Sequence, residues 1–286
     1  DNDNNNDIDD NDSDISNDNI STDFILNGST VIENSLPINN DDNRNEMNAN
    51  SLLILDAAYF NGLWLHQFDI LHTRPSTFYG SNYVTYENVP FMRLKAAVAI
   101  VPLDEIDAAM IELPFKDQRY SLYIILPSRI NDDLTLIRRA INPWYIETSI
   151  RQMNIYGKIL IELPTFGIDA EYDLRETFER MGLRNIFNQK RSNITNQISL
   201  NNSNDNIFIS DIKHKIRMEF DENGIGPNIE SRMQLKQRQK NRLKMMKQKQ
   251  YDQSKNAALS FDHPFLYFLR HQRTGTILLM GEMHGF

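Results

Sequence analysis

Residues 212–224, Ile212-Lys213-His214-Lys215-Ile216-Arg217-Met218-Glu219-Phe220-Asp221-Glu222-Asn223-Gly224, decide the reading of this chain. Ile212, His214, Ile216, Met218 and Phe220 alternate with Lys213, Lys215, Arg217 and Glu219. That period of two puts one set of side chains on each face of a half-buried strand. Beyond Gly224, residues 231–255 carry nine Lys or Arg and one Asp, a local balance of +8. The chain then resumes with Phe261-Asp262-His263-Pro264-Phe265-Leu266-Tyr267-Phe268-Leu269 and, past a turn ending at Gly275, with Thr276-Ile277-Leu278-Leu279-Met280-Gly281. A basic segment strung between strands is predicted to be an exposed, cleavable loop, tethered at both ends, over about residues 224–258.

Working outward, charge is more telling than length. The 286 residues are 40% hydrophobic, enough for a substantial core in one or two domains. Residues 1–23 hold nine aspartates and no basic residue, which accounts for the whole net charge of −9 and leaves the remainder neutral. The stretch 1–48 is Asn/Asp-rich with few apolar groups, too little buriable surface to offset the entropy of ordering. It is predicted to be a disordered tail, with Ile25-Leu26 and Val31-Ile32 able to dock, ahead of a folded domain over 51–286. There is no cysteine, so no disulfide is needed and the redox compartment stays open. No apolar run reaches membrane-span length, and no signal peptide opens the chain. Asn11, Asn19, Asn27, Asn193 and Asn201 head glycosylation sequons that would be acceptors in a secreted protein, although chance explains most of them in so Asn-rich a chain.

Ser51 to Phe60 is nearly continuously apolar, as expected for a central strand covered on both faces. From Tyr83 to Pro127 short β-rich runs alternate with turns in a meander. Asn131-Asp132-Asp133 can cap a helix over Leu134 to Ala140, and Asn142 with Pro143 starts another. Asp173 and Glu176 form a capping box, Leu174, Phe178 and Met181 share a helix face, and Gly182 closes that helix. Strands and helices mixed without regular βαβ alternation make the chain α+β.

Together these segments resemble the serpin family. Asp56-Ala57-Ala58-Tyr59-Phe60-Asn61-Gly62-Leu63-Trp64, with Phe68 and Thr73, looks like the family's Asn-Ala-x-Tyr-Phe-x-Gly-x-Trp strand and the breach after it. Glu112-Leu113-Pro114-Phe115, Leu126-Pro127 and Leu163-Pro164-Thr165-Phe166 match strand ends; Tyr172-Asp173-Leu174, Met181-Gly182-Leu183 and Phe187 match a helix and its turn. Residues 212–224 match the strand and hinge before the reactive loop, while His263-Pro264-Phe265 and Met280-Gly281 match the family's segments on the far side of that loop. The resemblance covers residues 51–286, the C-terminal part of the family's domain, and nothing in 1–48 resembles the N-terminal half. It implies a mixed main sheet, a meander or barrel-like second sheet, helices and an exposed reactive loop.

The activity the resemblance implies is suicide inhibition of a serine endopeptidase. The protease attacks the loop, which once cut adds to the main sheet as a strand and carries the acyl-enzyme away. Glu222, Gly224, Ile225, Gly226 and Pro227 would be the hinge, Trp64 a breach residue and His214 a shutter residue. In the insertion register Ile225, Pro227, Ile229, Ser231, Met233 and Leu235 point inward. Counting from Gly224 puts the reactive bond at Arg238-Gln239, suited to a trypsin-like pocket; counting back from His263 lands near Gln250, and Arg242 and Lys244 are rivals. Three residues depart from the pattern. Pro227 lacks the N–H a central strand needs, Asn228-Ile229-Glu230 replace an alanine-like run, and Thr165 stands where a lysine usually pairs with the glutamate matched by Glu222. The loop is therefore open to being cleaved without trapping, or to serving as the docking arm of a non-inhibitory carrier.

Residues 232–249 also read as a cationic segment for acidic partners or heparin-like polyanions. The aromatics that nucleic-acid binding calls for are missing around it, Tyr251 excepted. His66, His72, His214, His263, His271 and His284 show no metal-ligand spacing, Trp64 reads as core packing, and no phosphate loop, nucleophile elbow or carboxylate pair is present. The chain is predicted to be a secreted, cofactor-free, metal-free non-enzyme.

Overall fold

In a computed structural model of the chain, residues 23–31, 51–130, 134–192, 194, 207–226 and 258–286 are described. In chain order the first strands are β1 (Asp23–Val31), β2 (Ser51–Leu63), β3 (Arg74–Tyr79), β4 (Thr85–Leu103), β5 (Ala108–Pro114) and β6 (Tyr120–Pro127). Helices α1 (Thr135–Ala140) and α2 (Pro143–Arg151) lead to β7 (Asn154–Pro164), β8 (Phe166–Asp173), helix α3 (Arg175–Arg180) and β9 (Phe208–Phe220). The short β10 (Gly224–Gly226) and β11 (Ala258–Ser260) precede the closing β12 (Phe265–His271) and β13 (Ile277–Met283).

These strands form two sheets. The first has the order β1-β2-β10-β9-β8; the second follows β11-β7-β4-β5-β6-β12-β13, with β3 on β4. The meander expected before Pro127 is β4-β5-β6, antiparallel throughout. The second sheet stays an open path, so the barrel-like expectation stops short of a closed barrel. With α1 and α2 packed on the second sheet and Phe178 of α3 packed on the first, the architecture is α+β.

The alternation in β9 is realised across its pairing with β8. Ile212, Ile216, Met218 and Phe220 are buried. On the other face Lys213, Lys215 and Arg217 lie opposite Asp173, Glu171 and Asp169 of β8. Lys215–Glu171 and Arg217–Asp169 are ion pairs at 3.6 Å, with all four side chains well exposed. Such pairs contribute about 0–1 kcal/mol each. Their use is to hold the register, since a one-residue slip would turn every apolar side chain to solvent.

The main core lies between the sheets, where Phe60, Phe115, Phe166, Phe220, Phe265 and Tyr267 meet. Phe166 stacks on Phe220 with centroids 4.1 Å apart. A second cluster joins Leu134, Ile137 of α1 and Ile146 of α2 to Tyr123 and Phe268. Asn142 caps α2, its side-chain oxygen accepting from the Tyr145 N–H at 2.9 Å.

Four expectations are corrected or bounded. The tail predicted to be disordered contains β1, antiparallel to β2 from Asp23↔Asn61 to Val31↔Leu53. A strand edge recruits backbone, so β1 needed no apolar period of its own. β2 is central in its sheet but not covered on both faces: Phe60 is fully buried, whereas Leu53, Ile54 and Leu55 are half-buried. Met181 does not share the half-buried face of Leu174 and Phe178, because the helix ends at Arg180 and leaves Met181 71% exposed. Asp173 accepts from the Arg175 N–H, while Glu176 reaches Arg180 at 3.8 Å in place of the capping-box contact. Gly182 closes the helix, with φ +99° and its N–H on the Glu179 carbonyl. The expected cap Asn131-Asp132-Asp133 lies outside the described residues.

Candidate functional site

The site is the place where β2 and β9 part. They pair directly, in parallel, from Ser51↔Phe208 to Ala58↔Ile216. Above that they diverge, and β10 fills the gap. Gly224 and Ile225 pair with Leu63 and Gly62 of β2, while Ile225 and Gly226 pair with Phe220 and Glu219 of β9, both antiparallel. Ile225 is completely buried. Of the loop predicted over 224–258, residues 224–226 are therefore sheet, Ala258 at the far end belongs to β11, parallel to β7, and the residues between lie outside the described residues.

The turn between β9 and β10 is built by Asp221. Its N–H donates to the Gly224 carbonyl at 2.9 Å, and its carboxylate accepts from the Asn223 and Gly224 N–H groups at 2.9 and 3.2 Å. Gly224 is required by close approach: a Cβ there would lie 1.8 Å from the Gly62 carbonyl oxygen and 2.9 Å from the Leu63 Cα, both backbone atoms of β2.

Trp64 pins this turn. Its indole N–H donates to the Asp221 carbonyl at 2.8 Å and its backbone N–H to the Asn223 carbonyl at 2.9 Å. The indole is 2% exposed and stacks on Phe115 at 4.8 Å. Phe68 adds a third tie, its N–H donating to the Glu222 carbonyl at 3.0 Å. Core packing and site organisation are thus one role for Trp64.

Glu222 is buried, and its carboxylate accepts from the Thr73 hydroxyl at 2.8 Å. Thr165 spends its backbone N–H on the Pro90 carbonyl. A hydroxyl from the segment after β2 thus holds the carboxylate; the sequence had flagged Thr73 but not this contact.

Lower in the sheet, His214 and Asp56 are register partners with Nδ1 and Oδ2 2.6 Å apart. Tyr172 of β8, the register partner of His214 on its other side, lays its ring nearly parallel to the imidazole at 6.4 Å. His214 is half-buried and bonded, a histidine held between strands. Beneath β9, burial pushes the Tyr267 phenol well above its ordinary range, with Tyr172 adding to the shift.

Pro227, Arg238, Gln239, Arg242, Lys244 and the whole segment 232–249 lie outside the described residues. Among the described residues no group of three His, Asp or Glu could hold a metal, and no helix is long and apolar enough to cross a membrane.

The family described as Serpin (serine protease inhibitor) matches residues 42–285. Serpin B10 of Papio anubis is 29% identical over 262 residues, covering 88% of this chain and 58% of that protein. Serpin B5 of Mus musculus is 29% identical over 241 residues, covering 81% and 57%. The chain thus spans less than two thirds of the length of these curated relatives. Native protease nexin-1 crystallised with heparin superposes with a TM-score of 0.66 at 24% identity, over 82% of this chain and 57% of that one. A serpin from the trematode Schistosoma Haematobium superposes at 0.65 and 15% identity, over 82% and 56%. At those identities the two structures speak for the fold.

Proposed function

Because the chain belongs to the serpin family, we propose that it inhibits a trypsin-like serine endopeptidase as a suicide substrate, by insertion of its loop into the first sheet. The observation that carries the reading is β10. β10 already lies between β2 and β9, antiparallel to both, so a loop cut farther along would continue the same ladders as it parts the direct β2–β9 pairs below. Bait and strand are then one segment. The protease supplies the chemistry, and the inhibitor supplies a lower-energy place for the severed arm.

Arg238 is the proposed bait, with Gln239 after the scissile bond and Arg242 and Lys244 as rivals. Success depends on a race, since insertion slower than deacylation leaves a cleaved substrate and a free protease. Pro227 slows that race by withholding one ladder bond. Incubation with trypsin is expected to give an SDS-stable complex of the two chains, with the released fragment beginning at Gln239. Clean cleavage with full residual trypsin activity would remove the inhibitory reading, and a fragment beginning elsewhere would move the bait. Pro227→Ala is expected to raise the trapped fraction.

One feature favours a second use of the same loop as a docking arm. Nine Lys or Arg against one Asp in residues 231–255 make a strong field for a heparin-like polyanion. Salt-dependent retention on heparin supports that use; passage straight through the column at low salt removes it.

A further inference from the structure

We propose that Asn223-Gly224 is a self-modification site guarded by the first sheet: the pair is inert while β10 is paired, cyclises to a succinimide when β10 leaves, and the product keeps β10 from returning. The site rests on the geometry of the turn, not on the inhibitory reading. The chain has three Asn-Gly pairs, in which the next backbone nitrogen meets least hindrance on its way to the side-chain carbonyl carbon, since glycine has no Cβ. Asn27-Gly28 and Asn61-Gly62 lie within the paired strands β1 and β2. Asn223-Gly224 alone spans a turn, the one between β9 and β10, with Asn223 half-buried. Ring closure requires the peptide plane between the two residues to rotate toward the Asn223 side chain. The fold holds that plane at both ends. Its carbonyl accepts from the Trp64 N–H at 2.9 Å, and its N–H donates to the Asp221 carbonyl and carboxylate, both at 3.2 Å. Because the plane is rigid, either hold stops the other end from turning.

Once the turn opens, the Gly224 nitrogen gives up its proton and bonds to the Asn223 Cγ, while the Cγ–Nδ2 bond breaks and ammonia leaves with that proton. Water then opens the ring, its oxygen going to the attacked carbonyl carbon and a proton to the nitrogen. Opening at Cγ gives aspartate. Opening at the main-chain carbonyl carbon gives isoaspartate, whose backbone runs through Cβ and Cγ and is one methylene longer. Nothing is oxidised or reduced. The longer backbone does not fit the turn. The Asp221 N–H meets the Gly224 carbonyl at 2.9 Å, and a Cβ on Gly224 would already stand 1.8 Å from the Gly62 carbonyl oxygen. The carbonyl that accepted from Trp64 becomes a carboxylate beside the buried Asp221 and Glu222, adding like charge where water is scarce.

The test is ageing of the full chain at mildly alkaline pH, with product at each Asn-Gly pair followed by peptide mapping and mass spectrometry. A synthetic peptide of residues 218–228 is the unguarded reference. Product at Asn223 is expected to form about 30-fold more slowly in the protein than in the peptide, the factor by which β10 is closed. Trp64→Phe gives up the indole bond to the Asp221 carbonyl, and is expected to speed the reaction at Asn223 about fivefold while leaving Asn27 unchanged. Asn223→Gln should stop it. The purified isoaspartate form should show fast exchange at the Gly226 amide with the β5–β6 amides still slow. Asn223→Asp, which adds charge without lengthening the backbone, should keep Gly226 slow. Equal rates in protein and peptide, no rise in Trp64→Phe, or an isoaspartate form with slow exchange at Gly226 would overturn the proposal. Guarded reaction in a protein that leaves trypsin fully active keeps the site and discards inhibition.

Discussion

Alanine at position 224 is expected to eject β10 from the sheet. The added methyl would sit 1.8 Å from the Gly62 carbonyl oxygen and 2.8 Å from its carbon, and backbone in a paired strand cannot yield by more than an ångström at small cost. The cheaper escape is for Gly224–Gly226 to leave, exposing Ile225, which is now fully buried. Losing that burial and the short ladders is expected to cost about 2–3 kcal/mol of stability. In hydrogen exchange the Gly226 amide should become fast while the β5–β6 amides stay slow. With trypsin, Gly224→Ala should yield cleaved loop and little or no trapped protease. Gly167→Ala, in β8 of the same sheet, is the control: its added methyl would meet atoms no closer than 3.7 Å, so it should be near neutral. A Gly224→Ala protein that keeps slow exchange at Gly226 would contradict the close packing described for the slot.

Truncation of Trp64 should have a larger effect on stability. Trp64→Ala removes a 2%-exposed indole stacked on Phe115 and edge-on to Phe68, together with the donor to the Asp221 carbonyl. A loss of about 3–5 kcal/mol is expected from the cavity alone, read as a lower midpoint in urea. Trp64→Phe separates the contributions. It keeps most of the ring packing and gives up the hydrogen bond, for about 1 kcal/mol. The other tryptophan, Trp144, is 73% exposed, so its emission marks solvent and the blue-shifted component reports on the turn. Equal midpoints for Trp64→Ala and wild type would mean that the indole does not hold the site.

How far the sequence alone reached can be judged from particular residues. β9 was legible because its period of two is written out over nine residues, and the cap at Asn142 because its signal is local. The order of the fragments between residues 51 and 286 was enough to recognise the family. The state of the hinge was not legible. Ile225 between two glycines looks like a loop until one knows that β2 and β9 diverge above Ala58 and Ile216 and leave a slot of one strand's width. β1 was hidden for a similar reason, since its partner is the edge of β2 and its apolar residues Phe24, Ile25, Leu26 and Val31 follow no period of two. Thr73 on Glu222 and Asp56 on His214 join residues about 150 positions apart, and no periodicity reports on such pairs. What could have flagged the second is the resemblance itself, where Asp56 stands in place of an asparagine opposite a histidine strand.

Melting of the loop-nicked protein tests the central claim most directly. If the arm after Gly226 continues β10 down between β2 and β9, material cut once near Arg238 should melt well above the intact chain, because the uncut form is not the ground state. Nicked and intact protein melting at the same temperature, with the β2 and β9 amides exchanging as before, would contradict insertion.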